Sequence, residues 1–281
     1  MIRIATLALV ATTALATAST AELRDTAKKL SDAHKDAVVW LSVLSKTSMS
    51  AEGDIPAQMK AALAAQEKEE KSEVTGTVID PSGMIVTALG ALDKSSMVDG
   101  QTVNTPAGEI KLSATSEFKE IKVITADGSE VPADLVLKDE DLGLAFIKVR
   151  MDSDEAKGVE FSAIDLADSA KGELLDECIV LGRLDEAFNR EPSLLTSEIS
   201  GLTVRPRAFY RVASDAVGCP VYLADGKLLG MSVLRRGKSG ASSRGGQIQV
   251  SPVVLPAADV AKIAEQAKDA KPAEGSDDSG E

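Results

Sequence analysis

The chain has 281 residues, 44% of them apolar, with a net charge of −13 and a pI near 4.7. That length and apolar content suit one large or two modest domains with a core of their own. The acidic balance excludes a general nucleic-acid binder, which needs a basic surface against phosphate, and two cysteines are too few to staple a fold of this size.

Residues 1–21, MIRIATLALVATTALATASTA, carry Arg3, an apolar run and small residues suited to cleavage after Ala18 or Ala21, and they read as a secretory signal. The run is shorter than the ~20 residues of a spanning helix, and no cysteine follows it for lipid attachment. The expectation is therefore an exported, periplasmic or extracellular protein that does not span the membrane. Leu23, Ala27 and Leu30 recur at helical spacing between Glu22 and Lys35 and predict an amphipathic helix. His34, the sole histidine, lies on the same stripe and reads as a half-buried structural residue. AVVWLSVL (37–44) reads as a buried strand. Residues 45–71 read as an insertion whose PAQMKAALAAQEKEEK stretch favours helix, with Met59 and Leu63 on one face.

From Val74 to Val253 the pattern changes to short apolar runs separated by turn signals, with Asp127-Gly128 and Asp225-Gly226 as hairpin turns. Many short strands without intervening helices predict an all-β barrel or sandwich. After Pro256 the stripe Val260, Ile263, Ala264 and Ala267 marks a terminal helix. The tail at 268–281, KDAKPAEGSDDSGE, is too polar to bury a core and reads as disordered.

Four segments stand in an order that resembles the trypsin-like serine peptidases of the HtrA (Deg) type. They are GTVIDPSGMIVTALGAL (76–92), ITADGSEVPADLVLKDEDLGLAFIKV (124–149), ELLDECIVLGRL (173–184) and SDAVGCPVYLADGKLLGM (214–231). QIQVSPVVLPAADVAKIAEQA (247–267) is similar to that family's closing strand and helix. The resemblance implies two six-stranded antiparallel β-barrels over 72–267 with a cleft between them, preceded over 22–71 by the helix, a first strand and the helical insertion. It does not extend to the peptide-binding PDZ module that the type often carries.

The same resemblance implies a serine nucleophile, a histidine base and an aspartate that orients the imidazole. Gly90, Gly143 and Val217 stand at the positions of histidine, aspartate and serine respectively. Ser214, Asp215 and Ala216 run directly into Val217, Gly218, Cys219 and Pro220, so the loop residues that would supply oxyanion-hole amides are missing. Cys219 is the one candidate for an unorthodox nucleophile; it needs a base or a positive field to form thiolate. Arg205 to Arg211 offer a field, but no base is apparent. Glu140 and Asp141 read as solvated turn acids.

Cys178 and Cys219 lie 41 residues apart with no histidine cluster, which excludes a zinc pattern and leaves open a single disulfide or two buried thiols. RRGKSGASSRGG (235–246) fails as a phosphate loop, because Ser232 stands where the first glycine belongs and no helix follows. No cofactor is implied. Between Leu202 and Gln247 eight basic residues face only Asp215 and Asp225. Arg205, Arg207, Arg211, Arg235 and Arg236 among them form either a solvated face or a docking stretch for an acidic partner.

Three functions fit these residues: an inactive pseudopeptidase that binds protein or peptide partners, an active hydrolase with an unorthodox site, and an envelope scaffold or regulatory partner of an active paralogue. Strand addition along a sheet edge makes peptide binding physically reasonable without a triad.

Overall fold

The computed structural model describes residues 20–53, 55, 58, 61, 68–105, 108–236 and 250–270. Helix α1 (20–34) buries Leu23, Ala27 and Leu30 as its spacing predicts. A 3-10 turn then leads into β1 (Val38–Glu52). β1 closes a ring with β2 (Lys68–Asp80), β3 (Met84–Ala88), β7 (Leu144–Val149), β6 (Glu130–Asp139) and β5 (Gly108–Ile124), and β4 (Thr102–Thr105) lies on the outer side of β5. The second barrel closes in the order β10-β13-β12-β11-β8-β9. Its strands are β8 (Glu177–Arg183), β9 (Pro192–Thr203), β10 (Phe209–Val212), β11 (Pro220–Leu223), β12 (Leu228–Arg236) and β13 (Val250–Pro256). The expected double six-stranded barrel is thus present, with helices at both ends. Gly128 and Gly226 take positive φ at the two expected hairpins.

One segment departs from the sequence reading. Residues 45–52 continue β1 and residues 68–71 open β2, where an insertion was expected. Leu44 to Thr47 pair with Lys71 to Lys68, so both stretches belong to the first barrel's long ladder. Polar residues such as Ser45, Lys46 and Thr47 hide a strand whose stability comes from pairing. Of the expected insertion helix, residues 58 and 61 are helical; Met59 and Leu63, residues 1–19 of the expected signal (1–21) and residues 271–281 of the expected tail lie outside the described residues.

β3 and β7 are buried on both faces, which is why MIVTA and LAFIKV read as unbroken apolar runs rather than alternating ones. Val86, Leu144 and Phe146 join the core that contains Ile179, Leu181, Val233 and Leu255 of the second barrel. Ile85, Ala145, Ile147 and Val149 point the other way into the first barrel. This strand pair is therefore a wall common to both cores. Helix α3 (Ala257–Lys268) seals the same shared core with Val260, Ala264 and Ala267.

Beyond β3 a short helix α2 (Leu89–Leu92) and a 3-10 turn (Lys94–Met97) form one side of the interbarrel cleft. The buried Asp93 carboxylate anchors the turn, accepting from Ser95 N–H at 3.1 Å, Ser95 Oγ at 2.6 Å and Lys138 Nζ at 2.6 Å. Burial alone would raise the Asp93 pKa, but hydrogen bonds from Lys138, Ser95 and Ser116 outweigh it and hold the carboxyl below its usual range. A depressed carboxyl contributes stability above its unfolded pKa of about 4 and loses it as pH falls through the folded value. Asp93→Ala, which strands Lys138, should cost about 2–4 kcal/mol in urea unfolding at neutral pH. The loss should shrink as pH falls below about 4.

Candidate functional site

The ends of β3 and the β6–β7 turn meet at the cleft. Leu89 N–H donates to the Gly143 carbonyl at 2.8 Å, and Gly143 N–H closes its own turn onto the Asp139 carbonyl at 2.8 Å. A φ of +72° at Gly143 favours glycine there. Gly90 and Gly143 thus become neighbours, 53 positions apart in sequence, and line a cavity of about 260 Å³ with Met97, Asp141, Leu234, Arg235 and Arg236. A Cβ added at Gly90 would lie 2.4 Å from Met97 Sδ, so the methionine fills the space into which a side chain at 90 would project.

The third position is built differently. Val217 is half-buried against the shared core, and its carbonyl accepts from Thr75 Oγ1. Thr77 Oγ1 donates to the Gly218 carbonyl at 2.8 Å, and Thr87 Oγ1 donates to the Thr75 carbonyl at 2.6 Å. The amides of the loop turn inward to β12: Gly218 N–H donates to the Ser232 carbonyl at 2.8 Å and Cys219 N–H to Ser232 Oγ at 3.1 Å. An oxyanion hole needs free donors aimed at the reacting oxygen, and both of these donors are engaged within the protein. The loop acts as a clamp between barrels. The sequence reading did not single out Thr75, Thr77 and Thr87; their one visible signal is the Thr75/Thr77 spacing of two on a single strand face.

Cys219 is 1% exposed, its Sγ 3.6 Å from both Thr75 Oγ1 and the Val217 carbonyl. Burial pushes its thiol up to about 11, only partly opposed by the Thr75 hydrogen bond. That is the reverse of what a thiolate nucleophile needs. The one imidazole sits elsewhere: His34 stacks on Tyr222 of β11 with ring centroids 5.8 Å apart, and burial lowers its pKa. Cys178 pairs with Leu223 across β8 and β11, whereas Cys219 lies beside Gly182. Four residues of β8, about 13 Å, separate those points, beyond disulfide reach; both thiols are free.

The basic stretch divides. Arg207 pairs with the Asp141 carboxylate, and Arg235 donates to the Asp141 carbonyl while lying 4.6 Å over the Phe209 ring. Arg236 donates to the carbonyls of Ser96 at 3.2 Å and Asp99 at 3.0 Å. These three arginines tie the second barrel to the first across the cleft, so Asp141 is an interbarrel partner and not merely a solvated turn acid. Arg205 and Arg211 are exposed, with no carboxylate in ion-pair range among the described residues. Among the described residues, no three His, Cys, Asp or Glu side chains group to hold a metal ion, and no helix is long and apolar enough to cross a membrane.

Gly218 has φ +76°, and an added Cβ would lie 2.3 Å from the Thr75 carbonyl oxygen. Gly128, at φ +85°, has open space around it. Gly218→Ala should therefore destabilise by about 3 kcal/mol and Gly128→Ala by about 1 kcal/mol in denaturant titrations. Both thiols should resist a thiol reagent until the chain unfolds, and fast native-state labelling of Cys219 would contradict its burial.

No curated protein matches the chain. The family model described as "Trypsin-like peptidase domain" matches residues 74–231. The matched span runs from β2 into β12 and takes in Gly90, Gly143 and Val217. It covers 158 of 281 residues. With that match over more than half its length and two closed barrels around one cleft, the chain belongs to the trypsin-like peptidase domain family.

Proposed function

We propose that this chain is an exported, catalytically inactive member of the family, of the HtrA type, that binds protein or peptide partners in the periplasm or outside the cell. One observation carries the reading: Gly90 and Gly143, which the resemblance sets at the positions of the base and its orienter, line one cleft together, and the Gly218 and Cys219 amides both donate to Ser232. Cys219 gives a hydrolytic alternative little support, since burial raises its pKa and no imidazole lies at the cleft.

Peptide binding draws support from β12. It pairs with β11 only over Leu228–Met231, but with β13 from Gly230 to Arg236. Beyond Ser232 its cleft-side edge has no neighbouring strand among the described residues, and an extended peptide can add to such an edge through main-chain hydrogen bonds.

The test incubates the chain from Glu22 onward with unfolded casein, reading new termini by mass spectrometry and retained complex in the same samples. The expected result is saturable retention without cleavage. New termini that scale with protein concentration and vanish in Cys219→Ala would overturn inactivity, and absence of both signals would overturn peptide binding.

A further inference from the structure

Ten large hydrophobic side chains are exposed among the described residues, and three of the four most exposed are Leu175 at 73%, Val204 at 70% and Leu174 at 59%. Backbone contacts bring these three to one rim of the second barrel. Leu175 N–H donates to the Ile199 carbonyl of β9 at 3.0 Å, and Ile199 N–H donates to the Asp176 carbonyl at 3.0 Å. Leu202, itself exposed, faces Tyr210 across β9 and β10, and the Tyr210 hydroxyl accepts from Gly172 N–H at 3.4 Å. The leucine pair before β8 thus lies beside the β9–β10 hairpin that carries Leu202 and Val204. Leu175 has φ +72°, in the left-handed region that leucine seldom adopts. Strain of this kind clusters at functional segments, and here it holds a side chain in solvent rather than in the core.

The charges along this rim are sorted. Glu173, Asp176, Glu177 and Glu198 gather at the Leu175 end, where Lys171 is the nearby cation in sequence. Glu177 and Glu198 stand directly opposite each other across β8 and β9, both exposed and neither in an ion pair among the described residues. Like charges so placed destabilise a sheet. Arg205 follows Val204 at the hairpin end, and Arg211 lies opposite Gly201 between the two ends. Six residues of β9 and its hairpin, about 20 Å, separate Ile199 from Arg205, so Arg205 does not relieve the glutamates of its own chain.

We infer that this rim is a contact between two copies of the chain, related by a two-fold axis through the leucines, which lays the Arg205 hairpin of each copy on the Glu177–Glu198 pair of the other. A two-fold contact requires a self-complementary patch, and an apolar centre with acid at one end and base at the other is one. Apolar centre and charged rim also match the anatomy of protein interfaces. An anionic membrane surface, by contrast, would repel the four carboxylates. The inference does not depend on what the cleft binds.

Sedimentation velocity of the chain from Glu22 onward, at about 1 to 200 μM and low salt, tests the contact, and a reversible monomer–dimer equilibrium with a roughly micromolar dissociation constant is expected. Leu175→Asn should weaken the dimer about tenfold or more, since the side chain is buried twice in a two-fold contact. The same variant should unfold in urea at an unchanged or higher midpoint, because asparagine tolerates a positive φ better than leucine does. Arg205→Glu should weaken the dimer by a similar factor, and adding Glu198→Arg should restore it, the reversed pair being complementary again. A monomer at every concentration would overturn the proposal, and flotation of that monomer with phosphatidylglycerol vesicles would give the rim to a membrane instead. An assembly of more than two copies would defeat the two-fold arrangement. A dimer indifferent to Leu175→Asn and Arg205→Glu would remove the contact from this rim, and a double variant no tighter than Arg205→Glu alone would remove the pairing with Glu198.

Discussion

The β3–β7 strand pair is the constraint on which the rest of the molecule depends. Val86 pairs with Phe146 and Ile85 with Ile147, and the two pairs face opposite cores. Prising the barrels apart would expose Phe146, Leu144 and Val86 together. At about 25 cal/mol per Å² of apolar area, that opposes opening strongly. The relative placement of the barrels is consequently fixed by packing. The two turns at one end of the wall, which carry Gly90 and Gly143, inherit that placement and meet Leu234 of β12 across the cleft.

Polar contacts finish what the wall begins. Glycine at 90 and 143 leaves space in the cleft between the barrels, and neighbouring elements supply both the side chain that fills it and the charged groups that cross it. Met97 takes the space beside Gly90, held by a turn that Asp93 and Lys138 anchor. Thr75 and Thr77 satisfy the carbonyls of Val217 and Gly218, groups that would be costly to bury alone. Arg207, Arg235 and Arg236 then bridge the cleft to Asp141, Ser96 and Asp99. The loop that ends in Cys219-Pro220 has thereby become an interbarrel joint, which is the physical sense in which its residues fit together.

Much of the fold was legible in the residues themselves. Apolar runs punctuated by Asp127-Gly128 and Asp225-Gly226 read as hairpins because only a few residues adopt the turn conformation that strand twist demands. Leu23, Ala27 and Leu30, and again Val260, Ala264 and Ala267, read as helical faces from spacing alone. The stretch 45–52 did not read as strand, because Ser, Lys and Thr there have weak local preference and β5 and β2 supply the pairing that orders them. Helical propensity further along the same region pulled the reading in the wrong direction.

At the cleft, the sequence by itself determined which chemical groups are present: glycine at 90 and 143, valine at 217, one histidine outside the β domain, and a basic stretch set in an acidic chain. Only the tertiary structure decided what those groups do. The Thr75 hydroxyl meets the Val217 carbonyl across 142 positions, and Arg207 meets Asp141 across 66. No local pattern encodes such meetings, because they exist only once two barrels share a wall. The same holds for the cysteines, which spacing left open as a pair or as two thiols; burial at opposite ends of β8 keeps them free. Composition sets the inventory of a site, and long-range packing sets its distances, on which hydrogen bonding and pKa depend.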